Sequence, residues 1–201
     1  TAKNTPASAN APVESRHQAV LPSPAAAPPA LGAIFAEADW HRVSARPENP
    51  APRAWSRRLL ISALDGIPPA ELTATMPDCA VETLPATDDL DHASWYAQSA
   101  AFCFERVKSM LRDTPTGDVL VQIAVPQGGK HEALAGIAAM LKTARLENSR
   151  FSGQVILCPP DTTAKLLASF ATAAVAGLPE ATLRFDVDGA LWHKRWRRRP
   201  E

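Results

Sequence analysis

Apolar positions along most of this chain fall into alternating strand-like and helix-like runs. Residues 119–125 are apolar on both faces except for Gln122, the pattern of a strand in the middle of a covered parallel sheet. They lead through Pro126-Gln127-Gly128-Gly129 into residues 134–148. There Leu134, Ile137, Ala138, Leu141 and Ala144 or Arg145 fall at helical spacing, while Lys142 and Glu147 point elsewhere. After Phe151-Ser152-Gly153 a second apolar run, residues 154–158, completes a strand, helix, strand unit. A parallel pair needs such a crossover, and its hand should be right. The segment 134–148 is therefore the one around which the rest is organised.

Upstream, residues 34–43, with Ile34, Phe35 and Trp40, suit an opening strand. Arg57-Arg58-Leu59-Leu60-Ile61-Ser62 is a short strand, and Pro68 beyond Asp65-Gly66 suits the first turn of a helix running through Met76. Residues 79–84 form the next strand. The clearest helix covers residues 90–111, where Leu90, Ala93, Ala97, Ala100, Phe104, Val107 and Leu111 step by three and four. Asp88 and Asp89 stand at its N-terminal end, where carboxylates cap amides and meet the positive end of the helix dipole. Thr114-Pro115-Thr116-Gly117 ends it. Further on, Asp161 is expected to cap a helix carrying Leu166, Leu167, Phe170 and Ala174, closed by Gly177 and Pro179. Residues 182–187 and 191–196 alternate in polarity about Asp188-Gly189, which favours a two-residue hairpin turn. The sum is an α/β chain: a truncated Rossmann-like fold, with a mostly parallel sheet, flanking helices and a C-terminal hairpin.

Composition changes this picture mainly at the ends. Residues 1–30 are rich in Ala, Pro, Ser and Asn and cannot bury enough surface to offset their ordering entropy, which makes them an inter-domain linker or tail and leaves 31–199 as the folded part. The 201 residues are 46% hydrophobic, enough for one packed domain. Lys+Arg and Asp+Glu both number 21, so overall charge gives no reason to expect nucleic acid or a membrane surface as partner. No run approaches a membrane span, and no signal-peptide pattern opens the sequence. Cys79, Cys103 and Cys158 are odd in number and lack CxxC spacing, which argues for a reduced, cytoplasmic chain without a disulfide framework.

The chemistry expected of such a fold is missing from the sequence. A dinucleotide site needs GxGxxG after its first strand, but Ala63-Leu64-Asp65-Gly66-Ile67-Pro68-Pro69 offers one glycine and then prolines without amide donors. Gly128-Gly129, with Lys130 beside it, has the makings of an anion cradle, although a glycine pair after a strand is ordinarily only a turn. The single tyrosine, Tyr96, is followed four residues later by Ala100, so the tyrosine–lysine acid of short-chain reductases is absent. His17, His41, His92, His131 and His193 form no HxxxH or HxH pair, and no GxSxG elbow occurs. Hence no catalytic, cofactor-binding or metal-ligating residue is assigned.

The segments DVLVQIAVP, LAGIAAMLKTARLENSRFSGQVIL and ATLRFDVDGALWHKRWRR nevertheless resemble, in kind and in order, the non-catalytic structural half of the ketoreductase region in modular polyketide synthases. The resemblance covers about residues 31–199, with Ser149 standing where relatives often carry proline after Glu147-Asn148. It implies a scaffold beside an NADPH-dependent β-ketoacyl-reducing half that follows directly. NADPH would sit in that half and not in this chain, and neighbouring carrier protein and dehydratase domains would be further partners.

The basic, tryptophan-bearing end supplies the contact residues that the resemblance calls for. Trp40, Trp192 and Trp196 offer large amphipathic area, and Arg195 and Arg197 can form bidentate pairs with carboxylates, so these five are the expected inter-subdomain contact. Two alternatives stand beside this reading. One is a self-contained α/β enzyme or ligand-binding domain using the carboxyl ends of strands 119–125 and 154–158. The other is an interaction module, for nucleic acid or protein, built on the basic tail from His193 to Arg199.

Overall fold

Near-continuous apolar runs place two strands where both faces are covered. The structure, a computed structural model, describes residues 36–43, 54–85, 90–112, 116–175, 179 and 181–198. In it β4 (Val119–Pro126) and β5 (Phe151–Cys158) pair in parallel near the middle of a seven-stranded sheet ordered β1-β7-β6-β5-β4-β2-β3. β2 (Arg57–Ser62), β3 (Ala80–Thr83) and β6 (Thr182–Phe185) extend the parallel part. β7 (Leu191–Arg198) runs antiparallel to β6, and β1 (Ala36–Arg42) antiparallel to β7. The α/β class, the mostly parallel sheet and the antiparallel C-terminal strands are as the sequence pattern predicts.

Helices cover both faces. α1 (Pro69–Thr75) and α4 (Ala164–Ala174) bury Leu72, Leu167, Phe170 and Ala171 against Leu60, Ile156, Leu183 and Phe185. The Phe170 and Phe185 rings stack there at 4.1 Å. On the other face α2 (His92–Arg112) and α3 (Ala138–Glu147) bury Trp95, Cys103, Val107, Leu141 and Ala144 against Ile61, Val121, Ile123, Val155 and Leu157. Burying side chains of this size stabilises by about 1.5–3 kcal/mol each. Gln122, the one polar interruption of β4, is 1% exposed and has a task. Its Nε2 donates to Gln154 Oε1 at 3.0 Å and to the Ala171 carbonyl at 2.8 Å, while Gln154 Nε2 donates to the Ala174 carbonyl at 2.8 Å. The last carbonyls of a helix have no partner within it, so this pair of glutamines fastens the end of α4 to the sheet.

Several local expectations need correction. Residues 130–137 form a 3-10 helix (Lys130–Ile137) and the α-helix begins only at Ala138. Leu134 and Ile137, three residues apart, face the core under either helical period, which is why spacing did not separate the two. Phe151-Ser152-Gly153 belong to β5 and not to the loop before it: Phe151 is fully buried, and a Cβ at Gly153 would stand 2.8 Å from Leu141 Cβ. Asp91 caps α2, accepting from the amides of Ala93 and Ser94 at 2.9 and 3.0 Å. Asp88 and Asp89 lie outside the described residues. Thr163, not Asp161, caps α4, its Oγ1 accepting from the Leu166 amide at 3.3 Å. The β6–β7 connection is wider than two residues. β6 stops at Phe185, and the turn is built on Asp186, whose carboxylate accepts from the amides of Asp188 and Ala190 at 3.1 and 2.7 Å. Residues 1–30, Gly177 and Arg199 also fall outside the described residues.

Candidate functional site

Open parallel sheets bind ligands beyond the carboxyl ends of their strands, and there the loops of this chain are mostly closed. Pro68 is the N-cap of α1, extended at φ −62° and without a side-chain cap, and Pro69 follows it, so neither residue has an amide to offer. At the end of β4, Gly128 and Gly129 adopt φ of 77° and 64°, as an anion cradle would require. The Gly128 amide, however, already donates to the Glu132 carboxylate at 2.6 Å. Gln127 closes the ends of β4, β5 and β6. Its amide donates to the Cys158 carbonyl, and its side-chain Nε2 donates to the carbonyls of Leu157 and Phe185. The carboxyl ends of β4 and β5, the site required by an autonomous ligand-binding domain, are thereby bridged.

An opening remains on the other side of β4. A cleft of about 370 Å³ is lined by Ser62, Asp65, Gly66, Thr83, Trp95, Lys130 and His131, among others. Tyr96 stands on α2 beside it in sequence, but the ring reaches the 3-10 helix, where a Cβ on Gly136 would lie 2.9 Å from its hydroxyl oxygen. Tyr96 and Gly136 thus mark a close approach of two elements. Among the described residues no group of three or more His, Cys, Asp and Glu side chains is suited to holding a metal ion. Cys79, Cys103 and Cys158 are buried and unbridged, and burial pushes the Cys103 and Cys158 thiols up to about 12.

The five expected contact residues all stand on the β1–β7 ribbon, and the sheet divides them. Pairing sets Trp40 opposite Lys194, Ala38 opposite Trp196 and Arg42 opposite Trp192, so the three tryptophans share one face. Arg195 and Arg197 point to the other face, opposite Asp39 and Glu37. Arg197 is already engaged: Nη2 donates to Glu37 Oε1 at 2.8 Å, which raises its pKa further. Trp40 is half-buried against the core, whereas Trp196 is 65% exposed with the Lys194 ammonium 5.2 Å from its ring centroid.

Two residues beside this ribbon, one on β6 and one in the turn after it, join the tryptophans. Arg184 lies between Trp40 and Trp192, its guanidinium carbon 4.6 and 5.6 Å from their ring centroids. Asp186 accepts the Trp192 indole N–H at 3.1 Å. That bond, followed by the Ala190 amide, holds the Asp186 carboxyl below its usual range. The width of the turn decides which face Arg184 takes. A two-residue turn at Asp188-Gly189 would set Arg184 opposite His193, while the observed register sets it opposite Trp192. A one-residue slip moves every side chain to the other face.

Comparison with solved structures puts this geometry in context. A ketoreductase domain from the bacillaene assembly line superposes with a TM-score of 0.65 and 20% identity, over 84% of this chain and 39% of that one. That likeness shows a shared fold, and in sequence the chain is similar to polyketide synthases. Its sequence is 27% identical over 128 residues to the polyketide synthase PksN of Bacillus subtilis (strain 168) and 38% identical over 53 residues to PksL of the same organism. These stretches cover 63% and 26% of this chain but 2% and 1% of the two synthases, so the chain spans a small share of the curated relatives that it matches. No family profile matches it.

Proposed function

We propose that this chain is the non-catalytic half of a polyketide synthase ketoreductase domain, a scaffold that supports and orients a separate NADPH-dependent β-ketoacyl-reducing half. The observation that carries the reading is the first strand-to-helix turn, residues 63–69. In a doubly wound fold this turn takes the dinucleotide pyrophosphate, and here Pro68 and Pro69 stand in place of amide donors. The lone tyrosine adds support, as Tyr96 has Ala100 where its lysine partner would be and reaches Gly136 instead. NADPH is then held by the partner half, and reduction takes place there. Carrier protein and dehydratase domains are the expected neighbours in the same multienzyme. Among the described residues no helix is long and apolar enough to cross a membrane. Three buried thiols suit a cytoplasmic setting.

The contact with the catalytic half is assigned to the β1–β7 ribbon, chiefly the face with Trp40, Trp192 and Trp196, with Arg195 and Arg197 at its reverse. An aromatic side chain as exposed as Trp196 adds little to the stability of its own fold and much to a docking surface. The test is Trp196→Ala, measured for melting of the chain and for association with a separately expressed catalytic half. Melting within a degree or two of the parent together with weakened association is expected. Unchanged association would overturn the assignment of Trp196 to the interface.

A further inference from the structure

The cleft beyond β2 and β3 plays no part in the scaffold role, yet it sits where this topology places ligands. In the order β3-β2-β4 the chain leaves β2 through α1 on one face and reaches β4 through α2 on the other, so the switch point falls between β2 and β4. Its volume of about 370 Å³ falls within the range of small-molecule sites, about 300–1,000 Å³. Two basic side chains from the segment after β4 line it, and both are held by the same core residue. The Lys130 ammonium lies 5.9 Å from the centroid of the Trp95 ring, and the His131 ring meets that indole edge-on at 5.0 Å. Trp95 is 5% exposed, so the support is rigid.

Among the described residues no carboxylate pairs with Lys130, and the acid nearest in sequence, Glu132, is occupied by the Gly128 amide. The β2 side of the cleft contributes Asp65, a carboxylate that accepts from hydroxyl groups and repels anions. The prolines of the turn remove the amides that a pyrophosphate needs, leaving charge recognition to one lysine and one histidine. That suits one phosphate group rather than two. We propose that this cleft binds a small phosphate monoester bearing a free hydroxyl, with the phosphate on Lys130 and His131 and the hydroxyl on Asp65.

Calorimetric titration of the full chain with glycerol 3-phosphate, inorganic phosphate and glycerol tests this. Saturable binding is expected for glycerol 3-phosphate, weaker binding for inorganic phosphate and none for glycerol. Lys130→Met, which keeps the aliphatic stem on Trp95, and His131→Gln should each weaken both phosphate ligands by about tenfold, the worth of a charge-assisted hydrogen bond. Asp65→Asn should weaken glycerol 3-phosphate and leave inorganic phosphate bound at least as well as by the parent, because the repulsion of the carboxylate is removed. Melting curves matching the parent establish that the variants are folded, and if Lys130→Met melts early the Asp65→Asn contrast decides by itself. Absence of saturable heat with glycerol 3-phosphate would overturn the proposal, as would equal binding of that ester by Asp65→Asn and the parent.

Discussion

Replacing Gln122 with leucine keeps the volume of a central strand residue and removes its hydrogen bonds. The side chain is 1% exposed, so no water replaces what is lost. Two acceptors, the Ala171 carbonyl at the end of α4 and Gln154 Oε1, lose their donor. Each buried group left unpaired costs about 1–3 kcal/mol, a gross cost of about 2–6 kcal/mol. The added apolar burial of leucine offsets roughly 1–2 kcal/mol of that. A net loss centred on about 2.5 kcal/mol is therefore expected, from a total stability of the order of 5–15 kcal/mol. Urea unfolding of the full chain, followed by tryptophan fluorescence, reads the loss as a lower midpoint at unchanged slope. The Gln122→Leu/Gln154→Leu double variant should lose less than the sum of the single variants, because the two amides share a bond. A Gln122→Leu chain as stable as the parent, or strictly additive losses, would refute the claim that this ladder anchors α4.

Gly153→Ala forces a Cβ to within 2.8 Å of Leu141 Cβ and 2.9 Å of Phe151 Cε1, so overpacking should cost about 1–3 kcal/mol in the same urea assay. Hydrogen bonds from Ser94 first, and from Trp192 first, hold the carboxyls of Asp91 and Asp186 below their usual range. Their stabilisation is present above the unfolded-state pKa and is lost as pH falls through the lower folded value. Acid unfolding curves of Asp91→Ala and Asp186→Ala should therefore converge on the parent at low pH and lie below it at neutral pH. With the Cys103 and Cys158 thiols pushed up to about 12 and buried, alkylation at neutral pH should be slow for the native chain and fast in denaturant, as mass spectrometry would read; rapid native labelling of either would contradict their burial.

Elements whose partners lie nearby in sequence were legible, because period and punctuation report them directly. β2 is bounded as its apolar run suggests, α1 starts behind Pro68, and β4 is a central strand as its two-sided apolarity requires. What escaped depends on tertiary context. The length of β5 is set by Leu141 packing on Gly153, a contact that crosses from α3 to the sheet. Thr163 caps α4 in place of Asp161 through backbone geometry, being extended at ψ 165°. For the contact residues, the sequence grouped Trp40, Trp192, Trp196, Arg195 and Arg197 by composition. Which face each one takes depends on the β1–β7 register, and Arg184 joins them only through the true width of the turn at Asp186. The cleft is assembled from the ends of β2 and β3, α2 and the 3-10 helix, so no single stretch of sequence announces it.

The central claim is that this chain supports reduction without performing it. NADPH-dependent reduction of a β-ketoacyl thioester, followed as loss of NADPH absorbance, measures that directly for the purified chain alone and after addition of a separately expressed ketoreductase catalytic half. The account predicts no turnover by the chain alone and a higher rate for the catalytic half in its presence. Saturable turnover by the chain alone, or a catalytic half whose rate and stability are unchanged by it, would contradict the account.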